Sequence, residues 1–307
     1  MSRLWMLLLL GCWELQAQPL PMDVRANGQA IEASITSVFV LPGTAVTIEY
    51  LPRRLDETLE LTAKHGTVAQ LEEHRWLYQP GNAAISDLVL NNNRPNAAAQ
   101  QMRLRVFRLQ PFAPNQQRVG SFRIGQYPPA SSGHRGLDYV PPPGLIKADS
   151  TLLSEQVSTH FTLGQFVSRQ QQSNGAPSYL ILTTPLLETL EHLIQTLHSH
   201  GWPGQTLTIL SGYRTPYHNQ AVGGASRSRH IYGDAVDLIP DADGDGQMDD
   251  LNKDGRGDRE DVEWLIAMLM RRAIPATMGG AGSYETAGTA GAFLHLDTRG
   301  LPADWQR

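Results

Sequence analysis

The spacing of apolar residues changes character near the middle of this chain, and that change limits what it can fold into. From residue 22 to 127 apolar residues come in short runs, ITSVFVL, AVTIEYL, ISDLVL, MRLRVFRL and VGSFRI, divided by turn material such as PGT, KHGT, QPGN and NNNRPN. Side chains alternate faces along a strand, so runs of this length between Gly, Pro and Asn predict an all-β sandwich. Trp76, just ahead of Pro80-Gly81, is expected in its core. Residues 128–147 are rich in Pro, Gly and Ser and read as an ordered crossing or linker. Beyond it the signals alternate. Thr184-Pro185 and Gly201 bracket a helix whose Leu187, Leu190, Ile194 and Leu197 share one face. QTLTIL and FLHLD read as strands, and REDVEWLIAMLMRRA as a second amphipathic helix. Residues 148–307 are therefore expected to form an α+β domain, a small antiparallel sheet with flanking helices.

A chain of 307 residues is long enough for two such domains. Its net charge of -5, with no basic stripe interleaved with aromatics, gives no sign of a nucleic-acid surface, and nucleic acid is not expected as a partner. Residues 1–17 have the plan of an export signal, with Arg3 ahead of a short apolar core from Leu4 to Leu10. Cys12, the one cysteine, follows Leu9-Leu10-Gly11. That stretch resembles the lipobox of bacterial lipoproteins, which implies membrane attachment through a lipidated Cys12; cleavage after Ala17 is the competing outcome. Either way no intramolecular disulfide forms, and a periplasmic or envelope location is expected.

Within SRSRHIYGDAVDL, Gly233-Asp234 has the composition of a two-residue hairpin turn. A hairpin there sets His230 opposite Asp237, with Cβ atoms about 4.5–5.5 Å apart. That geometry suits two ligands of one metal ion, and equally a surface His–Asp pair. In FLHLD, alternation puts His295 and Asp297 on one face and Leu294 and Leu296 on the other. If that strand joins the hairpin, three N/O ligands and an open position result, the plan of a catalytic zinc site.

SGYRTPYHN, SRHIYGDAVDL and FLHLD, in that order, resemble the zinc D-alanyl-D-alanine carboxypeptidases and related murein endopeptidases over residues 150–307. The resemblance implies zinc on His230, Asp237 and His295, with peptidoglycan stem peptides as substrates. It places Arg214 near the scissile carbonyl, and Ser211 and Tyr213 in the same substrate-binding corner. Many relatives carry an acid three residues before the last zinc histidine, or a histidine two before it. Here those positions are Ala292 and Phe293. Asp297 is the leading candidate for catalytic base or for orienting His295, with His218 and Glu285 as others. HRWLYQPGNAAISDLVL resembles bacterial immunoglobulin-like modules, which implies that type of sandwich before the peptidase domain.

The insert 241–261 splits into DADGDGQMD and DLNKDGRGD, each with oxygen-bearing residues at positions one, three, five and nine and glycine at six, the start of an EF-hand-type calcium loop. Asp241, Asp243, Asp245 and Asp249 are expected to form one site. Asp250, Asn252, Asp254 and Asp258 would form another, with Asp261 as the final acid. The chain is thus expected to be an exported zinc peptidase of the cell wall. The alternative is a zinc-containing wall-binding or scaffold protein that has lost its base.

Overall fold

The computed structural model describes residues 22–93, 100–113, 115–132, 138–168, 177–271, 279–285, 291–300 and 303–306. The expected export segment 1–17, Cys12 included, lies outside them.

Two sheets come first along the chain. One has the order Gln29–Ile31, Val24–Ala26, Val46–Tyr50, Arg75–Pro80, Gly66–Glu72. The other runs Ile35–Val40, Gln100–Arg108, Ile85–Asn93, Thr58–Ala63, its first pair parallel. In VTIEY the residues Val46, Ile48 and Tyr50 are buried while Thr47 and Glu49 are half-buried, the alternation expected where one face packs. Ile48, Trp76 and Tyr78 from one sheet share a single buried cluster with Leu88, Leu90 and Leu104 from the other. Trp76 is accordingly a core residue.

A second cluster starts at Phe107 and runs through the rest of the chain. The Pro/Gly-rich stretch is built into it: Ser131–Ser132 pairs with Asp138–Tyr139, and Gly144–Ala148 pairs with both Gln110–Pro111 and Ser178–Leu180. Helix α1, Thr184–Ser199, is capped by the Thr183 hydroxyl, which accepts from the Leu186 N–H, and has Pro in its first turn. It buries Leu187, Leu190, Ile194 and Leu197 as expected. It also buries Glu188, whose carboxylate accepts the N–H groups of Glu32 and Ala33. Thr184 Oγ1 donates to the Ser37 carbonyl, and Ser37 Oγ donates to the Val157 carbonyl. Arg105, on the second sheet, bonds Asp87, Glu155 and the Gln156 carbonyl. These buried polar bonds fasten the two-sheet region to α1 and the loop before it.

The sheet that matters for function has the order Thr208–Ser211, Ala235–Ile239, Ala292–Asp297, Gly280–Glu285, Ala303–Gln306. It is antiparallel apart from its last pair. A short helix α2, Pro216–Ala221, follows the first of these strands in sequence, and α3, Arg259–Arg271, packs on the strands Gly280–Glu285 and Ala292–Asp297. The described residues are thus mostly β with few helices, an α+β arrangement, and none of their helices is long and apolar enough to cross a membrane.

Candidate metal centre

The hairpin expected at Gly233-Asp234 does not form. Arg229–Tyr232 is a 3-10 turn that ends at Gly233, whose φ of 75° is left-handed, and only Ala235–Ile239 is a strand. Gly233 therefore acts as the stop of a helical turn instead of a hairpin corner. Asp234 is no exposed turn residue either. It is buried and ion-paired with Arg229, and burial raises its carboxyl above the ordinary value despite that partner.

The residue directly opposite Asp237 is His295, in register across antiparallel strands. His230 reaches the same point from the 3-10 turn. Its Nδ1 lies 2.7 Å from the Gly212 carbonyl, which makes that nitrogen the donor and leaves Nε2 with a free lone pair. His230 Nε2 is 3.1 Å from Asp237 Oδ1, His295 Nδ1 is 2.8 Å from the same oxygen, and the two ring nitrogens are 3.2 Å apart. All three residues are buried. Ligands about 2.0–2.2 Å from a tetrahedral zinc stand about 3.3 Å from one another, so this triangle fits that ion.

The shell around the triangle is charged and ordered. Asp237 Oδ2 accepts from Arg214, whose Nε donates to Ser211 Oγ at 2.8 Å. Burial opposes the charge on Asp237, yet His230 and His295 hold its carboxyl well below the usual range. Asp297 stands behind His295, with Oδ2 3.5 Å from the ring's Nε2. It is fully buried and accepts from the N–H of Gly280 and from the N–H, Nε and Nη2 of Arg299. Burial would raise Asp297, but His295 and Arg299 keep it well below the ordinary value. A carboxylate so occupied orients the imidazole; it has no free edge toward the side of the ring where the triangle lies.

Other expected site residues fall elsewhere. Tyr213 is 2% exposed and its hydroxyl bonds Tyr127 at 2.9 Å, so it is a core residue and not a wall of the substrate corner. The groove beside the triangle, about 530 Å³, is lined by residues that include Arg214, Tyr284, Phe293 and the three acceptors, but neither His218 nor Glu285. Glu285 is exposed and faces Arg259 at 3.8 Å. Ala292 is buried, and Phe293 stacks on Tyr284 with ring centroids 5.4 Å apart. Sequence reasoning missed the Arg299–Asp297 pair. Alternation gives no signal for it, since the strand ends at Asp297 and Arg299 lies in the bend beyond it.

In the acidic insert, carboxylates of Asp241, Asp243 and Asp245 gather within 4.8 Å, but that group does not include Asp249. Asp249 Oδ2 instead accepts the Trp202 indole N–H at 2.6 Å and the Ala242 N–H at 2.8 Å. The second half makes no comparable group among the described residues. Its acids turn to the backbone: Asp250 accepts from Asp254 and Gly255, and the buried Asp261 from Leu251, Asn252 and Asp258.

Comparison with known proteins bears on one part of the chain. Residues 159–256 match the family model for Peptidase M15. The match takes in His230 and Asp237 and stops before His295, and it supports the M15 zinc peptidases, metallopeptidases that act on peptidoglycan peptides. It lends calcium no support. No curated protein matches the chain. A solved structure from Saccharophagus degradans, described as a nucleoside hydrolase-related hypothetical protein associated with carbohydrate metabolism, is 16% identical over 28% of this chain. The overlap spans 25% of that protein's length, and the TM-score of 0.20 carries no argument about fold or function.

Proposed function

We propose that the chain is a zinc-dependent peptidase that hydrolyses D-amino-acid-containing bonds of peptidoglycan, at a terminal D-Ala-D-Ala or at a crosslink. The observation that carries this reading is the buried triangle of His230 Nε2, Asp237 Oδ1 and His295 Nδ1 beside an open groove. Bound there, zinc would supply Lewis acidity toward a substrate carbonyl and a bound water acidic enough to act near neutrality. The protein's own residues prepare the site. The Gly212 carbonyl fixes the His230 tautomer, and Asp297 fixes the His295 ring. Arg214 holds Asp237 Oδ2, leaving Oδ1 for the metal, and as a groove residue it presents guanidinium N–H groups to a substrate oxygen.

The chain is further proposed to be an exported envelope protein, released after Ala17 or lipid-anchored through Cys12. Residues 148–307 would be the peptidase domain, and an immunoglobulin-like sandwich would place it on the wall. One observation favours a second reading. Among the described residues lining the groove, Asp237 is the only carboxylate, and Phe293 stands where a histidine base occurs in relatives. A zinc-containing wall-binding protein would have that composition.

Muropeptide analysis of sacculi treated with zinc-loaded protein, beside a His295→Ala control, separates the two. New products that require His295 establish the peptidase, and their masses name the bond. Co-sedimentation with sacculi without any product establishes the binder.

A further inference from the structure

Among the described residues, four arginines line the groove beside the triangle. Three of them are committed. Arg214 bonds Asp237, Arg229 bonds Asp234, and Arg299 bonds Asp297, so three positive charges are each matched by an aspartate. Arg227 differs. It is exposed, and the contact described for it is with the face of the Tyr139 ring, 5.2 Å from guanidinium carbon to ring centroid. Cation–π contact of this kind holds a guanidinium in place while leaving its N–H edge available. Ser228, next in the chain, lines the same wall two residues before His230.

The geometry points to Arg227 as the receptor for a carboxylate on the substrate, so that the preferred peptide carries a free anionic group close to the scissile bond. The charges in the groove explain why. With the other three paired, Arg227 supplies a positive charge at the groove wall that no carboxylate lining the groove balances among the described residues, and a planar guanidinium binds a carboxylate with two parallel hydrogen bonds. Three residues before His230 in the chain, Arg227 lines the same groove as the triangle. The identification of the ligand as a peptide rests on the peptidase reading. The selectivity for a carboxylate rests on the groove alone. The carboxylate could be the peptide's C-terminus or a side-chain acid, and the two are separable by amidation.

The test uses zinc-loaded full-length protein and three synthetic stem peptides: one with all carboxylates free, one amidated at the C-terminus and one amidated at the side chain. Affinity is measured by calorimetry and turnover by product release, for wild type, Arg227→Ala and Arg227→Lys. Amidation at one position is expected to weaken binding to wild type about tenfold to a hundredfold, the span of a charge-assisted pair. Arg227→Ala should bind amidated and free peptides alike, raising KM with little change in kcat, and Arg227→Lys should restore part of the preference. Equal affinity of wild type for all three peptides, or a preference that survives in Arg227→Ala, overturns the assignment, as does no binding at all. Discrimination by affinity without turnover supports Arg227 while defeating the peptidase reading.

Discussion

Replacing Asp297 with Asn separates an orienting carboxylate from a catalytic base. Asp297 accepts from Gly280, from three donors of Arg299, and faces His295 Nε2 at 3.5 Å. Asparagine keeps one acceptor oxygen but turns an NH2 group toward a donor, so the Arg299 pair is lost while the shape is kept. Removing one partner of a buried pair costs about 3–5 kcal/mol. The Arg299 side chain is 22% exposed, so a loss of about 2–3 kcal/mol is the fitting discount. With roughly 2–4 °C per kcal/mol for a region of this size, the melting temperature of chelator-treated protein should fall by about 4–12 °C. The freed imidazole should weaken zinc about tenfold to a hundredfold, or about 1.4–2.7 kcal/mol, measured by competition with a chromogenic chelator. At saturating zinc most of kcat should return. Unchanged zinc affinity together with a kcat that stays lost at saturating zinc would show that Asp297 moves a proton, and the orienting argument would be wrong.

Three other substitutions probe the frame around the site. Tyr213→Phe should cost about 1 kcal/mol through the lost Tyr127 bond and leave muropeptide turnover unchanged, whereas a raised KM would place Tyr213 in contact with substrate. Gly233→Ala puts a Cβ against Ile181 at a left-handed φ of 75° and should destabilise by more than about 2 kcal/mol; an unfolding midpoint near wild type would count against the 3-10 stop. Burial raises the Glu188 carboxyl although Glu32 and Ala33 donate to it, so the folded state holds its proton more tightly than the unfolded chain does. The stability it contributes is complete below the unfolded value of about 4.3 and is lost as pH rises through the folded value. Glu188→Gln should flatten that decline in urea midpoints from pH 4 upward, and parallel curves for the two proteins would remove Glu188 as its source.

Much of the fold is legible because burial leaves a period in the text. Val46, Ile48 and Tyr50 alternate, α1 repeats Leu at helical spacing, and FLHLD announces its two faces. Gly66–Glu72 left no such mark, because it is a sheet-edge strand whose residues are almost all exposed; Thr58–Ala63, also at an edge, does alternate, with Leu59, Leu61 and Ala63 packed against the core. An edge strand is held by backbone bonds on one side, and its side chains are under little constraint. The gathering of His230, Asp237 and His295 was readable from order and chemistry, yet the expected path was wrong. Gly-Asp reads the same whether it turns a hairpin or ends a helical turn, and only packing against Ile181 and the Arg229–Asp234 pair decides between them. Tyr213 misled for a related reason: next to Arg214 in sequence, it points into the core.

The polar seam between the two-sheet region and α1 bears on modularity. Glu188, Thr184, Ser37 and Arg105 each spend a buried polar group on a partner across that boundary. Cutting the chain there, or grafting the metal-bearing half onto another N-terminal segment, would strand those groups without partners at a cost of about 1–3 kcal/mol each. The two halves are therefore not interchangeable cassettes. The groove thus opens at a bearing to the two-sheet region set by the seam, and reach is traded for a fixed angle of approach.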